Sequence, residues 1–148
     1  MDKYIGFKMI EAEPMNLGDY NKFKGWTIPE NECPLTEGYK VKYSDDYISW
    51  SPKDVFDKSY MQVADNNTIT QENVDNFIVD YEVFTKKEKI TIVIATLANG
   101  FTIVESSACV DTANYNESIG ADICKERIKD KVWNHLGFLL QTAKDGIK

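Results

Sequence analysis

The most apolar segment of the chain is KITIVIATLANGFTIVESSAC, Lys89–Cys109. Two runs rich in β-branched residues flank the pair Asn99-Gly100, which is typical of a tight turn because both residues tolerate positive φ. We therefore expect a β-hairpin closed by a two-residue type I′ turn. Such a turn fixes the pairing of the strands, and it predicts these facing pairs: Ala98 with Phe101, Thr96 with Ile103, Ile94 with Glu105, Ile92 with Ser107 and Ile90 with Cys109.

The first strand of this hairpin is apolar on both of its faces. Alternate side chains of a strand point to opposite faces, and the two sets are Ile90, Ile92 and Ile94 on one face and Thr91, Val93, Ala95 and Leu97 on the other. This pattern is typical of a central strand covered on both sides. An exposed segment of this composition would be prone to aggregation, so the rest of the chain is expected to cover it.

A long helix near the C-terminus is the expected cover for one face of the hairpin. It is predicted to run from about Glu117 to at least His135, with Gly137 as a point where it kinks or stops. Apolar residues recur at spacings of three or four, which is the period of one helix face. These positions are Ile119, Ile123, Cys124, Ile128, Val132, Leu136, Leu139 and Ala143.

The remaining elements are shorter, and capping residues and prolines mark their ends. In chain order we expect an opening strand over Lys3–Glu13, a helix capped by Asn16 that ends at Lys24, a hairpin over Gly38–Trp50, a helix capped by Ser51, a helix over Gln71–Asp80 capped by Thr70, and a strand over Tyr81–Phe84. The polar run after Ala64 marks a domain boundary. The prediction is an α+β chain with domains 1–64 and 65–148. It has two small antiparallel sheets or one composite sheet, covered by short helices and the long C-terminal helix.

The charge of the chain argues against direct binding to nucleic acid or to an anionic membrane. The formal net charge is −7, and the chain has a single arginine, Arg127. Neutralising phosphates needs a basic surface, and reading bases or phosphates by paired hydrogen bonds needs arginine. No segment approaches the ~18 apolar residues of a membrane span. An acidic surface suits either a basic protein partner or solubility alone.

No catalytic, cofactor or metal site is predicted. The three cysteines have no CxxC spacing, which argues against a disulfide framework or structural zinc and favours a reducing cytosol. The single histidine, His135, has no nucleophile placed beside it by any motif. We interpret it as a residue near a helix C-terminus, where the helix dipole favours a cation.

Six residues are candidates for binding a partner or ligand. Tyr43, Tyr47 and Trp50 cluster around the predicted N-terminal hairpin, where they would form either a stacking surface or part of a small core. Ser107, Asp111 and Asn114 lie where the second strand of the central hairpin gives way to a polar link.

Three segments resemble the phage gene-product-49/66 family of small tailed-phage proteins. They are ITQENVDNFIVDYEVF, TLANGFTIVESSACVDTANYN and SIGADICKERIKDKVWNHLGFLL, within residues 69–140. The preceding segments, MIEAEPMNLGDYNKFKG and EGYKVKYSDDYISWSPKDVFDKSY, resemble an N-terminal module of phage and mobile-element proteins that is similar to one in some anti-CRISPR proteins.

The resemblance implies a phage accessory protein that acts in the bacterial cytoplasm, and it transfers no catalytic residue. We expect a non-enzymatic protein that binds and inhibits a host protein as an anti-defence or anti-CRISPR factor. The alternative is a sponge that sequesters a cyclic nucleotide or an ADP-ribose-type immune signal by aromatic stacking, with lysines near the phosphates. A homodimer through a sheet edge or the long helix is also left open.

Overall fold

The computed structural model describes the whole chain, Met1–Lys148, and divides it into two compact units. Unit 1 comprises residues 1–62 with 142–148, and unit 2 comprises residues 63–141. The chain contains two three-stranded antiparallel sheets and four α-helices, including the long C-terminal helix. The α+β prediction is therefore confirmed, in its form with two separate sheets. No helix is both long enough and apolar enough to cross a membrane.

Unit 1 contains a sheet with strand order β1-β2-β3 and two short helices. Its elements are β1 (Glu11–Pro14), α1 (Leu17–Lys24), β2 (Gly38–Lys42), β3 (Ile48–Pro52) and α2 (Lys53–Ser59). The predicted caps of α1 are confirmed. The side chain of Asn16 accepts a hydrogen bond from the Asp19 amide at 2.8 Å, and Gly25 ends the helix with φ +74°, a conformation that glycine adopts without strain.

The aromatic side chains of unit 1 form much of its packing. The rings of Tyr39 and Phe56 stack with centroids 3.9 Å apart, which joins α2 to β2. The indole nitrogen of Trp50 donates a hydrogen bond to the Met15 carbonyl at 2.7 Å. A Cβ on Gly38 would lie 2.3 Å from the Trp50 ring, so β2 needs glycine where it passes this indole.

Two predicted boundaries in unit 1 are wrong. The opening strand begins only at Glu11, and the residues before it form no helix or strand. Ser51 does not cap α2. It is the penultimate residue of β3, and Pro52 occupies the cap position without a side-chain hydrogen bond. Strand pairing with β2 therefore prevails over the local capping signal at Ser51.

Unit 2 contains a sheet with strand order β4-β5-β6. Its elements are α3 (Gln71–Phe77), β4 (Ile78–Lys86), β5 (Ile90–Leu97), β6 (Thr102–Ala108), a short 3₁₀ turn (Thr112–Asn114) and α4 (Glu117–Asp145), which continues into unit 1. Thr70 and Asn73 form a reciprocal capping box at the start of α3, which confirms the predicted cap. The helix ends at Phe77 instead of Asp80, because β4 begins at Ile78.

Helix α4 covers one face of this sheet, as predicted. The core contains residues of β5, β6, α3 and α4, and those with at most 8% of their surface exposed are Ile69, Val74, Val93, Ala95, Leu97, Ile103, Ala121, Cys124, Ile128, Val132 and Leu136. The buried stripe of α4 is narrower than predicted. Ile119 is 61% exposed, and Ile123 and Leu139 are also on the surface. The helix is continuous through Gly137 to Asp145.

The turn between β5 and β6 differs from the prediction. Leu97 donates to the Phe101 carbonyl at 2.8 Å, and the Gly100 amide donates to the Leu97 carbonyl at 2.8 Å. Gly100 has φ +85°, whereas Asn99 is not in the positive-φ region. This is a three-residue turn in which only the final residue is left-handed. The two-residue type I′ turn is therefore wrong.

The extra turn residue shifts the strand pairing by one position relative to the prediction. Val93 faces Glu105, and Ala95 faces Ile103. A shift of one residue moves every β6 side chain to the other face of the sheet. Glu105 consequently lies on the α4 side, where its carboxylate pairs with Lys131 at 2.5 Å.

The second face of the unit 2 sheet is not covered, contrary to the prediction for β5. We call it the open face. Paired residues of antiparallel strands share a face, and the pairing gives four rows of three: Asp80, Thr96 and Thr102; Glu82, Ile94 and Val104; Phe84, Ile92 and Ser106; Lys86, Ile90 and Ala108. Phe84 is 40% exposed and Val104 is 57% exposed. The three isoleucines are only partly buried.

Candidate functional site

The predicted aromatic cluster of unit 1 is divided between two faces of its sheet. The rings of Tyr43 and Tyr47, at the β2–β3 turn, lie 6.0 Å apart and nearly parallel, and the Lys8 ammonium lies 4.6 Å from the Tyr43 ring centre. The strand pairing places Trp50 on the opposite face, where it bonds to the Met15 carbonyl. Trp50 therefore does not join the tyrosine pair.

The tyrosine pair does not form a slot for a nucleobase. Stacked bases lie about 3.4 Å apart, so a base between two rings needs a separation of roughly twice that distance. The rings of Tyr43 and Tyr47 are closer than this. Only their outer surfaces are available for stacking, and Tyr47 is 64% exposed.

A small polar pocket in unit 2 lies between the end of β6, the start of β5 and the first turns of α4. Its volume is about 130 Å³, and its polar lining includes Lys89, Thr91, Ser107, Asn114, Tyr115 and Asn116. Two predicted residues, Ser107 and Asn114, therefore come together here. The third, Asp111, does not line the pocket; its carboxylate accepts from the Ala113 amide at 2.9 Å and caps the 3₁₀ turn.

A network of hydroxyl groups that runs from buried Thr91 to the surface supports the polar pocket. Thr91 is fully buried, and its hydroxyl lies 2.8 Å from the Tyr115 hydroxyl. Tyr115 also lies 2.7 Å from the hydroxyl of Thr85, which bonds to Glu117. An unpaired hydroxyl at buried Thr91 would be costly, so its bond to Tyr115 helps to fix the entry into α4. The sequence offered no signal for it, because the four residues approach only after β4, β5 and α4 have packed.

The three cysteines form no disulfide in this structure. Cys124 is buried in the unit 2 core, and burial raises the pKa of its thiol, which keeps it protonated at neutral pH. The Cys109 thiol donates to the Asp111 carbonyl at 3.2 Å. All three cysteines are unpaired, and no three histidine, cysteine or acidic side chains come together where they could hold a metal ion.

A second concave surface in unit 2 is a groove between the β5–β6 turn and the part of α4 near His135. We call it the apolar groove. Its volume is about 400 Å³, and it is lined by Phe77, Leu97, Asn99, Phe101, Asn134, His135, Leu136, Phe138 and Leu139. Phe101 is 55% exposed and Phe138 is 72% exposed. The groove thus presents aromatic and leucine side chains to solvent, together with the polar side chains of Asn99, Asn134 and His135.

His135 belongs to this groove, and its predicted role at a helix end is wrong. Helix α4 continues past it to Asp145, and the dipole effect is confined to the last turn. The imidazole instead packs edge-on against the Phe101 ring, with centroids 5.8 Å apart. This contact joins the hairpin turn to the helix.

The apolar groove has no signature of its own in the sequence, because it depends on tertiary packing. Phe101 directly follows Gly100, and Phe138 directly follows Gly137. The three-to-four spacing along the helix predicts that Leu139 is buried, whereas it lines the groove. Only the packing of the hairpin along α4 brings these residues together.

The comparisons with known proteins identify a family for unit 2. The phage protein (N4 Gp49/phage Sf6 gene 66) family matches residues 69–144, which is just over half of the chain. The match includes the polar pocket, the apolar groove and the open face, and it excludes the tyrosine pair. No curated protein and no solved structure matches significantly. The chain therefore belongs to the phage protein (N4 Gp49/phage Sf6 gene 66) family.

Proposed function

We propose that this phage protein is a non-enzymatic accessory factor that binds a host protein through the apolar groove and inhibits it. The observation that carries the proposal is the groove itself, in which Phe101, Phe138 and Leu139 remain at least 39% exposed. Large aromatic side chains around a concave apolar surface are typical of protein interfaces, where a few such residues supply most of the binding energy.

The proposed target lies in the cytoplasm of the infected bacterium and belongs to its defence machinery. Membership of a phage family supports an action on the host. The anti-defence role is proposed from the sequence resemblance of residues 9–25 and 37–60 to a module of some anti-CRISPR proteins. The net charge of −7 suits a target with a basic surface, such as a nuclease, because opposite charges accelerate association.

A charge placed in the groove is expected to weaken binding to the target. We expect Leu139→Lys to weaken capture of the host partner about 30-fold, the effect of losing ~2 kcal/mol at a binding hot spot. Ile119→Lys is the matched control, because Ile119 lies on the same helix, is 61% exposed and lines the polar pocket instead of the groove. The measurement is affinity purification from infected cells followed by quantitative mass spectrometry and titration of the purified partner.

Three outcomes would contradict the proposal. The first is equal capture by wild type and Leu139→Lys. The second is loss of capture only in Ile119→Lys, which would move the interface to the polar pocket. The third is recovery of the protein as a component of purified virions with no host partner. Inhibition itself is tested by adding wild-type protein and each variant to an assay of the partner's activity.

The geometry supports the alternative function, sequestering a nucleotide signal, less well than it supports binding of a protein. Sites for drug-sized ligands have volumes of about 300–1,000 Å³, whereas the polar pocket has about 130 Å³. The tyrosine pair is too close to enclose a base. The apolar groove is large enough for a ligand, but it is lined by no lysine or arginine that could meet a phosphate.

We expect no thermal stabilisation by cyclic nucleotides or ADP-ribose derivatives. A ligand at a hundred times its dissociation constant would add about 2.7 kcal/mol to the free energy of unfolding. That gain corresponds to a rise of several degrees in Tm for a chain of this size. Differential scanning fluorimetry against a panel of such compounds makes the measurement, and a reproducible rise for any of them would favour the sponge alternative.

A further inference from the structure

We propose that the open face is the contact surface of a symmetric homodimer, in which two copies pack their β4-β5-β6 sheets face to face. The two-fold axis lies between the two sheets, parallel to their planes and perpendicular to the strands. This inference concerns a different surface from the apolar groove and does not depend on the proposed host target. It differs from association through a sheet edge or the long helix.

The first support is the composition of the open face. Its centre is formed by Ile92 and Ile94, which are flanked by Phe84 on one side and Val104 on the other. Phe84 and Val104 are 40% and 57% exposed. Strands rich in β-branched residues are prone to aggregation when they are exposed to water. Such a surface is commonly buried by a second sheet that packs against it at a distance of about 10 Å.

The second support is the distribution of charge along β4. Asp80 and Glu82 lie at one end of the open face, and Lys86 lies at the other. All three side chains are exposed, and none of them takes part in an ion pair within the chain. The face therefore has an acidic end and a basic end.

The two-fold axis follows from this charge pattern. An axis perpendicular to the strands, passing between the two central rows, places β4 over β4 of the second copy in the reverse direction. It exchanges the outer rows, so that Asp80 faces Lys86 of the other copy twice in each dimer. It also exchanges the two central rows, so that Ile92 meets Ile94 at the centre and Glu82, on the edge strand β4, lies beside Phe84 of the other copy with its carboxylate directed to solvent. An axis parallel to the strands would place β4 over β6, which has no lysine on this face. The interface is thus self-complementary, as an isologous contact must be.

The size of the face sets the strength of the contact. Three strands about 4.8 Å apart and about seven residues long give a patch of roughly 340 Å² per copy. This is below the ~800 Å² per partner of a stable complex. We therefore expect a reversible dimer with a dissociation constant on the order of 10–100 µM.

The test is sedimentation velocity of the full chain from roughly 5 to 500 µM, which spans the expected dissociation constant. Wild type is expected to shift from monomer to dimer across this range. Asp80→Lys and Lys86→Asp each place like charges opposite each other twice, and each is expected to weaken dimerisation by about tenfold or more. Both residues are exposed, so folding is expected to be retained and is checked by circular dichroism.

Two combinations of these substitutions distinguish the proposed geometry from a general charge effect. The doubly exchanged chain, Asp80→Lys with Lys86→Asp, restores both opposite pairs and is expected to dimerise within about threefold of wild type. An equimolar mixture of the two single variants is expected to form a heterodimer, because one chain carries two lysines and the other two aspartates at these positions. High salt should weaken the wild-type dimer only modestly.

A substitution near the axis provides an independent measurement. Val104→Lys is expected to weaken dimerisation at least tenfold, whereas Val110→Lys, at a 98% exposed position outside the face, is expected to leave it unchanged. The proposal is overturned by a monomer at every concentration, by a dimer insensitive to both single reversals, or by failure of the exchanged chain to recover. An insensitive dimer would point to the β6 edge or to α4.

Discussion

The Ile128→Ala variant is expected to lose about 3 kcal/mol of unfolding free energy, within the 2–5 kcal/mol range for truncating a large buried aliphatic side chain. Ile128 is fully buried near the middle of α4 and belongs to the cluster that contains Val93 and Leu97 of β5. Truncation removes apolar contacts and leaves a cavity, because the sheet and helix are held by neighbouring contacts and can close only partly around it.

The matched control is Ile119→Ala, on the same helix at a 61% exposed position. Both substitutions gain the same small amount of helix propensity, so the difference between them reports burial. We expect Ile119→Ala to change stability by no more than about 0.5 kcal/mol. The measurement is urea denaturation followed by far-ultraviolet circular dichroism. Equal losses for the two variants would show that α4 does not pack on the sheet through Ile128.

The Gly120→Ala variant is the second large effect, with an expected loss of about 2 kcal/mol. A Cβ at this position would lie 2.2 Å from the Thr91 hydroxyl oxygen and 2.8 Å from the Thr91 Cβ. Both atoms lie in the unit 2 core, so neither can move aside freely. The helix must shift away from β5, or Thr91 must give up its hydrogen bond to Tyr115. Either change outweighs the gain of up to ~1 kcal/mol from replacing a helical glycine.

The control for this variant is Gly137→Ala, because Gly137 lies in the same helix and a Cβ there meets nothing within 4 Å. We expect it to stabilise the protein by about 0.5–1 kcal/mol. The two glycine substitutions should therefore have opposite signs in the same denaturation experiment. A stabilising Gly120→Ala would mean that the close approach of α4 to Thr91 is absent in solution.

The sequence predicted the elements of unit 2 better than their contacts. The hairpin and long helix were predicted because alternation in β5 and the three-to-four spacing in α4 are local properties of the chain. The capping signal at Thr70 was also correct, since a capping box involves only neighbouring residues. The capping signal at Ser51 is also local, but it is wrong, because Ser51 lies in β3 and pairs with Tyr39 of β2.

The strand register was not predictable from the residue types in the turn. Asn99-Gly100 fits both a two-residue and a three-residue turn, and the choice depends on which strand residues are buried. The three-residue turn places Ile103 against the core and gives Glu105 an ion pair with Lys131. Burial of a whole strand face outweighs the small intrinsic preference of a turn.

The candidate sites were predicted only in part, because each depends on distant segments. Ser107 and Asn114 do line one pocket, whereas Trp50 lies on the opposite face of its sheet from Tyr43 and Tyr47. The apolar groove and the open face had no local signal. Both contain apolar side chains whose exposure depends on how α4 packs against the sheet.

The three-residue turn constrains how this part of the chain can vary in length. A substitution at Ala98 leaves the pairing of β5 with β6 unchanged, but losing one residue of the turn would move every β6 side chain to the other face of the sheet. Val104 would then point toward α4, and Glu105 would leave Lys131 and enter the centre of the open face. An insertion or deletion at this turn would therefore change which side chains of β6 enter the core, although every residue in the turn is on the surface.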